Sequence, residues 1–141
     1  MILLDTNVIS ELIKRDPHPA VRAFVASLAP ETVFTSAICE AEIRYGLARM
    51  PEGRRRDTLT ANVLSFLDIC FGNQVLRFDR LCAAAYGDIR HRRDAAGRPI
   101  SLPDAMIAAT ARAYGIHAIA TRNIKDFADC GVPLIDPWLY Q

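Results

Sequence analysis

The sequence lacks any apolar run near the roughly 20 residues that a membrane-spanning helix needs. It also lacks an excess of one charge, because 17 Lys and Arg residues stand against 16 Asp and Glu residues and leave a net charge of +1. No overall field therefore attracts nucleic acid or an anionic membrane. Without C-x-x-C pairing or a signal-like start, we expect the cysteines to be reduced core thiols of a cytoplasmic protein: Cys39, Cys70, Cys82 and Cys130.

What the sequence does have is a regular alternation of short apolar runs and helix-periodic segments. The runs predict strands at 2–4, 33–35, 75–78, 117–120 and 132–135. The segments between them predict helices at 7–14, 20–28, 37–48, 54–69, 80–95 and 104–114. This alternation is typical of an α/β fold with a mainly parallel sheet, and we expect residues 1–141 to form a single domain.

Two aspartates stand where a strand ends or a helix begins. Asp5 follows the first apolar run directly, so it projects from the carboxyl end of the first strand, where ligands bind in open parallel sheets. Asp104 begins a helix whose small apolar face can pack closely against the sheet. Each has a simpler explanation, since Asp5 or Thr6 can be an N-cap and Ser101 to Asp104 fits the S-x-x-D capping pattern.

Glu42 is the third unusual carboxylate. Helical periodicity places it beside an apolar stripe of Ile38, Ala41 and Tyr45, whereas Glu40 faces water and is spaced to pair with Arg44. A carboxylate that faces the core needs a cation or a metal beside it. An ion pair with one of the 15 arginines and a metal site therefore both remain open.

Carboxylates gathered in one cleft repel each other unless a proton or a divalent cation relieves the repulsion. The three histidines are dispersed and have no zinc-like spacing, so the cluster is one of oxygen donors, which suits Mg²⁺ or Mn²⁺ rather than zinc. A fourth polar group follows the predicted strand at 117–120, with Asn123 and Asp126. Taken by itself, that segment is better explained as a loop with a helix cap at Asn123.

Four segments together resemble a known family, the PIN-domain ribonucleases, and in particular the VapC-type toxins of bacterial toxin–antitoxin modules. The segments are L-L-D-T-N (3–7), A-E-I-R-Y-G (41–46), L-P-D-A-M-I-A-A-T-A (102–111) and A-T-R-N-I-K-D-F (120–127). The resemblance implies a PIN-like fold, with a central parallel sheet of four or five strands flanked by helices. It also implies an Mg²⁺- or Mn²⁺-dependent endoribonuclease that hydrolyses RNA phosphodiester bonds with a metal-activated water.

The resemblance also assigns roles to single residues. Asp5, Glu42 and Asp104 match the family's metal-binding carboxylates, and Asn123 stands where the family often has aspartate, with Asp126 three residues further on. One carboxylate fewer leaves a second metal site in doubt. Two small hydroxyl residues match positions that line the family's acidic pocket, Thr6 and Ser36.

The implied partners are RNA and a small antitoxin encoded beside the toxin, and no membrane. The apolar helices at 7–14 and 54–69 are expected to form an antitoxin groove and a homodimer surface, so that toxin and antitoxin form a hetero-oligomer. RNA needs cations near an acidic site, and the candidates are Arg54, Arg55, Arg56, Arg90, Arg92, Arg93 and Arg98, unless they only form a solvated helix surface.

Two other functions fit parts of the pattern. A phosphatase with Asp5 as nucleophile would need a second aspartate two residues later, where this chain has Asn7. A catalytically inactive PIN-like module that binds RNA or a protein partner is the main alternative, although three retained carboxylates argue against it.

Overall fold

A computed structural model describes all residues from Met1 to Gln141. Five parallel strands form one sheet in the order β3-β2-β1-β4-β5. Their bounds are β1 Ile2–Leu4, β2 Val33–Ser36, β3 Val75–Leu76, β4 Ala118–Ala120 and β5 Leu134–Ile135. The predicted α/β fold with a central parallel sheet of four or five strands is therefore confirmed.

Seven helices connect the strands and flank the sheet. They are α1 Thr6–Ile13, α2 Pro19–Ala26, α3 Ala37–Ala48, α4 Arg54–Cys70, α5 Arg80–Ala95, α6 Leu102–Ala113 and α7 Ile124–Phe127. Two 3₁₀ turns, Pro30–Thr32 and Pro137–Leu139, complete the secondary structure. The sequence predicted the first six helices to within two residues at each end. It did not predict α7, because a four-residue helix carries no periodic signal.

The central strand β1 sets the position of every polar group that follows a strand. It pairs with β2 on one side and β4 on the other, with Leu4 in register with Ala120. The Asp5 amide continues this pairing by donating to the Ala120 carbonyl at 3.0 Å. The chain runs outward from β1 to β3 and then returns to β4 on the opposite side, so the strand order reverses at β1. Ligands bind outside the carboxyl ends of the strands at such a reversal.

The hydrophobic core lies between the sheet and the helices on its faces. Leu3 and Leu4 of β1 and Ile119 of β4 are almost fully buried. Helix α6 packs mainly against α5 and also contacts α3 and β4, and its buried face is rich in alanine. Asp104 lies in its first turn.

All four cysteines are free thiols, but only three lie in the core. The prediction was wrong for Cys70, the last residue of α4, which is exposed beside Ile69. The apolar run that suggested a buried thiol ends on the outward face of the helix. None of the helices combines the length and the apolar character needed to cross a membrane.

Candidate active site

A polar cavity of about 440 Å³ opens at the carboxyl ends of β1 and β4. We call it the acidic cavity. It is lined by four carboxylates, two basic side chains, four uncharged polar side chains and one aromatic: Asp5, Glu11, Glu42, Asp104, Lys14, Arg122, Thr6, Asn7, Ser10, Asn123 and Trp138. The chain thus brings Asp5, Glu42, Asp104 and Asn123 to one surface, although they lie on four separate segments of the sequence.

Asp5 is the most buried carboxylate of the acidic cavity, with 3% of its surface exposed. Its side chain accepts three hydrogen bonds, from the Thr6 amide at 2.7 Å, Asn7 Nδ2 at 2.7 Å and Thr121 Oγ1 at 2.8 Å. Burial, the largest cause, raises the pKa of Asp5 to about 6; the hydrogen bonds from Thr121 and Thr6 lower it, while the charges of Asp104 and Glu42 raise it further. An ionised carboxylate has about four lone pairs, so one remains for a further ligand.

Thr121 fixes the end of β4 against Asp5. Its hydroxyl donates to Asp5 Oδ2 and accepts from Asn7 Nδ2 at 3.2 Å and from the Asn123 amide at 3.0 Å. One donor and two acceptors are all that a hydroxyl offers. Thr121 therefore joins β1, α1 and the segment after β4 in one network, which sequence reasoning did not assign to it.

Glu42 lies half-buried on α3 and accepts a hydrogen bond from the Thr6 hydroxyl. The predicted apolar stripe was wrong in part, because Ala41 is exposed and 65% of Tyr45 is exposed. The buried face of α3 is instead Cys39, Ile43 and Leu47. Glu42 sits at the edge of that face, and this edge position lets it reach the cavity.

No arginine neutralises Glu42, so the ion-pair explanation is wrong. Its neighbour Glu40 is paired as expected, with Arg44 Nε 2.7 Å from Glu40 Oε1. The two glutamates therefore differ in surroundings although they are two residues apart on one helix. Glu40 has a cation beside it and Glu42 has none.

Asp104 is half-buried in the first turn of α6. The capping pattern is realised as well, since the Ser101 hydroxyl accepts from the Asp104 amide at 3.3 Å. Burial is the main cause that raises the pKa of Asp104, and the charge of Asp126 adds to it, whereas the Ser101 hydrogen bond and the charge of Arg93 lower it. The cap is made by Ser101, which leaves the Asp104 carboxylate on the acidic cavity.

The two remaining predicted residues are placed differently. Asn123 is exposed and lines the acidic cavity just before α7. Asp126 is exposed within α7 and is not among the cavity-lining residues, although its charge reaches Asp104. Ser36 does not line the cavity either: it is fully buried, and its hydroxyl accepts from the Cys39 amide at 3.1 Å as the N-cap of α3.

Several cavity residues were not predicted. Glu11 is buried and accepts from Lys14 Nζ at 2.6 Å and from the His18 amide at 2.9 Å. The spacing of Asn7, Glu11 and Lys14 along α1 is a one-face helical pattern and could have indicated them. Trp138 had no such signal, because the chain after β5 reaches the cavity only through tertiary packing.

Most of the arginines expected to attract RNA have other partners. Arg93 was wrongly placed on the surface: only 4% of it is exposed, and it donates to the carbonyls of Arg98, Asp126 and Ala128 at 2.6 to 2.8 Å. Arg92 and Arg98 are paired with Asp88 and Asp129. Arg54 and Arg55 on α4 remain exposed, away from the acidic cavity.

The donor set of the acidic cavity fits a hard divalent cation. Asp5, Glu42 and Asp104 line it with carboxylate oxygens, and none of the three is in an ion pair. As they stand, no three His, Cys, Asp or Glu side chains lie close enough together to hold a metal ion jointly. This is compatible with Mg²⁺, which keeps several waters and is usually bound by one or two carboxylates.

Comparison with known proteins defines the class. A model of the PIN domain matches residues 2–131. Three curated relatives match over 138 residues: plasmid stability protein StbB of Pseudomonas syringae pv. tomato at 44% identity, VapC ribonuclease Y4jK of Sinorhizobium fredii at 41%, and toxin FitB of Neisseria gonorrhoeae at 38%. Each alignment covers 98% of this chain and 98% or 99% of the relative.

A solved structure described as FitAB bound to an IR36 DNA fragment has the same fold. It superimposes with a TM-score of 0.91 at 37% identity and covers 100% of this chain and 98% of the matched chain. The chain belongs to the PIN-domain family. The resemblance noted in the sequence is thereby confirmed.

Proposed function

We propose that this protein is a divalent-metal-dependent endoribonuclease and the toxin of a type II toxin–antitoxin pair. The observation that carries the proposal is the acidic cavity, in which Asp5, Glu42 and Asp104 lie together without a cationic partner. Relatives that match nearly the whole chain are named VapC ribonuclease and toxin FitB. Hydrolysis of RNA phosphodiester bonds is the reaction that such a set of oxygen donors supports.

In this proposal Asp5 and Asp104 hold Mg²⁺ or Mn²⁺ directly, and Glu42 holds it directly or through water. Asn123 or Asp126 completes the ligand set. When bound, the cation supplies a Lewis acid that polarises a phosphoryl oxygen and lowers the pKa of a water. Asn123 has an advantage over Asp126 because it lines the acidic cavity itself.

The protein's own contribution is to hold these oxygens in place before substrate arrives. Three hydrogen bonds fix the Asp5 carboxylate, and the Thr6 hydroxyl fixes that of Glu42. A ligand that is already oriented loses less conformational entropy on binding than a mobile one. Thr6 is central to this arrangement, because its amide contacts Asp5 while its hydroxyl contacts Glu42.

An RNA-cleavage assay tests the proposal. We expect cleavage that requires added Mg²⁺ or Mn²⁺ and falls at least about 100-fold in Asp104→Asn and Glu42→Gln, because each change removes a charged ligand. Glu40→Gln is the matched control on the same helix and should cleave like the parent. Equal cleavage by all variants would refute the mechanism. RNA binding without cleavage in either metal would instead identify the inactive PIN-like binding module.

The proposed antitoxin needs an apolar docking surface, and the chain has one between α1, α2 and α4. A cavity of about 230 Å³ there has nine apolar residues among its ten, including Leu12, Val25 and Phe66. Ile69 at its rim is 81% exposed. We propose that the antitoxin covers this surface and that the toxin also forms a homodimer within the hetero-oligomer. Ile69→Glu should weaken antitoxin binding at least about tenfold and leave RNA cleavage unchanged.

A further inference from the structure

Arg122 is the one basic residue on the acidic cavity without an acidic partner. The cavity has two basic side chains, and the other, Lys14, lies 2.6 Å from a carboxylate oxygen of Glu11. Arg122 takes part in none of the five ion pairs of the chain, and its guanidinium makes no hydrogen bond. An unpaired cation among carboxylates is available to a negatively charged ligand.

The Arg122 guanidinium lies over the Trp138 ring, with Cζ 5.2 Å from the ring centroid. Trp138 is partly buried against the hydrophobic core, and its amide donates to Asp136 Oδ1 at 2.9 Å in the closing 3₁₀ turn. The indole is therefore a fixed support. At its other end, the Arg122 amide donates to Asn7 Oδ1 at 3.1 Å, so the backbone is tied to the site as well.

The contact with the indole occupies no N–H group of the guanidinium, and those N–H groups make no other hydrogen bond, so they are free to bind a ligand. These N–H groups match two oxygens of one phosphate and can bind them as a pair of charge-assisted hydrogen bonds. A lysine at this position could offer only a point charge. The acidic cavity otherwise repels an anionic chain, so a fixed cation beside the carboxylates is where a phosphate can be held.

We propose that Arg122, supported by Trp138, binds a backbone phosphate of single-stranded RNA next to the phosphate that is cleaved. This inference rests on the proposed ribonuclease function, because it identifies a substrate contact of the same cavity. Arg122 follows Thr121, which contacts Asp5, and precedes Asn123. The phosphate contact is therefore rigidly joined to the proposed metal ligands through β4.

Binding of a labelled single-stranded RNA oligonucleotide, measured by fluorescence anisotropy in EDTA over a series of salt concentrations, tests this contact without cleavage. Arg122→Ala should weaken binding about tenfold and reduce the salt slope by about 0.7, the share of one phosphate on a single strand. Arg122→Lys and Trp138→Leu should fall between the parent and Arg122→Ala. The control is Arg22→Ala, which removes another exposed, unpaired charge on α2 and should change neither quantity.

Two further readouts belong to the same experiment. Trp138 is the only tryptophan in the chain, so its fluorescence should change when RNA binds the parent, and in Arg122→Ala the change should require about tenfold more RNA. With the metal present, Arg122→Ala should raise KM for RNA with little change in kcat, because the contact holds substrate and transition state alike.

The outcomes separate this inference from the proposed function. Cleavage by the parent with an unchanged RNA affinity and salt slope in Arg122→Ala would overturn the phosphate contact and leave the ribonuclease proposal intact. An Arg122-dependent RNA affinity in a protein that never cleaves would support the contact and refute the nuclease. Unchanged RNA binding together with weakened antitoxin binding in Arg122→Ala would assign the arginine to the protein partner and contradict the inference.

Discussion

Thr121 donates a hydrogen bond of 2.8 Å to Asp5 across 116 residues of sequence and thereby joins the carboxyl ends of β4 and β1. The bond is buried. The hydroxyl has no hydrogen-bonding capacity left, since it donates to Asp5 and also accepts from Asn7 and from the Asn123 amide. The position of Asp5 in the acidic cavity thus depends on a residue of another strand. The orientation of Asp5, a proposed metal ligand, therefore depends on how β1 and β4 lie side by side in the sheet.

Replacing Thr121 tests this dependence. Thr121→Val keeps the shape of the side chain but removes the hydroxyl, and we expect the free energy of unfolding to fall by about 2 kcal/mol because the buried Asp5 carboxylate and two less buried polar groups lose their partner. Because the lost hydrogen bond lowers the pKa of Asp5, the acid limb of the pH–activity profile should move to higher pH. Urea unfolding and pH–rate profiles measure both effects. Thr121→Ser retains the hydroxyl and should restore both.

The raised pKa of Asp5 predicts how the stability of the metal-free protein depends on pH. The pKa of Asp5 rises from 3.8 to about 6 on folding, so between these values the folded chain holds a proton that the unfolded chain has released. The contribution of Asp5 to the free energy of unfolding is therefore fully present below pH 3.8 and is lost as the pH rises through about 6.

Urea unfolding of the parent and Asp5→Asn in EDTA measures this contribution. The difference in unfolding free energy between the two proteins should change by on the order of 2 kcal/mol between about pH 4 and about pH 7, in favour of Asp5→Asn at the higher pH. Asparagine cannot accept all the hydrogen bonds that Asp5 accepts, but the cost of those lost bonds is the same at both pH values. It therefore cancels when the free-energy difference between the two proteins at one pH is subtracted from the difference at the other. A difference independent of pH would show that Asp5 titrates normally.

We predict a large loss of stability when Arg93, which lies outside the acidic cavity, is replaced. Its three carbonyl partners tie α7 and the segment before α6 to α5, and it is buried. Arg93→Met removes the donor of the Arg98 and Asp126 carbonyls and leaves the Ala128 carbonyl only the Cys130 thiol, and we expect the free energy of unfolding to fall by about 3 kcal/mol. Arg92→Ala next to it loses only an exposed pair with Asp88 and should cost at most about 1 kcal/mol. Similar losses in urea unfolding for both would contradict this assignment.

The cysteines give a prediction that distinguishes the structure from the sequence-based expectation. Cys70 is exposed and the other three thiols are buried, so a water-soluble thiol reagent should modify one cysteine rapidly in the native protein and all four only after unfolding. Cys70→Ser should abolish the rapid phase. Partial desolvation of its sulfur raises the pKa of the Cys70 thiol, so the native reaction should accelerate as the pH increases. Slow modification of all four thiols would contradict the exposed position.

The fold and the main carboxylates were predictable because their signals are local. Apolar runs such as Ile2 to Leu4 end at a polar residue, and in a parallel sheet those ends share one edge. The motif around Asp104 was predicted as either a cap or a metal ligand. The structure shows that the Ser101 hydroxyl makes the cap and that Asp104 lines the acidic cavity, so its role as a ligand stays a prediction. Glu42 was singled out because it was predicted to lie beside an apolar stripe on α3, and that stripe was partly wrong. Glu42 nevertheless lies at the edge of the buried face and lines the acidic cavity.

The features that the sequence did not reveal depend on contacts between distant segments. Nothing near Thr121 in the sequence indicates that its hydroxyl contacts Asp5. Trp138 reaches the acidic cavity from the last 3₁₀ turn, and Arg93 is buried because α7 and the segment before α6 meet over it. Periodicity identifies which face of a helix is apolar, but not which distant backbone will satisfy a buried arginine.

The most direct test is a calorimetric titration of the metal-free protein with Mn²⁺ at about pH 7.5, where the ordinary Asp and Glu groups and most of Asp5 are ionised. We expect a saturable site in the parent, affinity at least about tenfold weaker in both Asp104→Asn and Glu42→Gln, and unchanged affinity in Glu40→Gln, whose carboxylate is paired with Arg44. The same Mn²⁺ affinity in all four proteins, or no binding to the parent, would contradict this expectation.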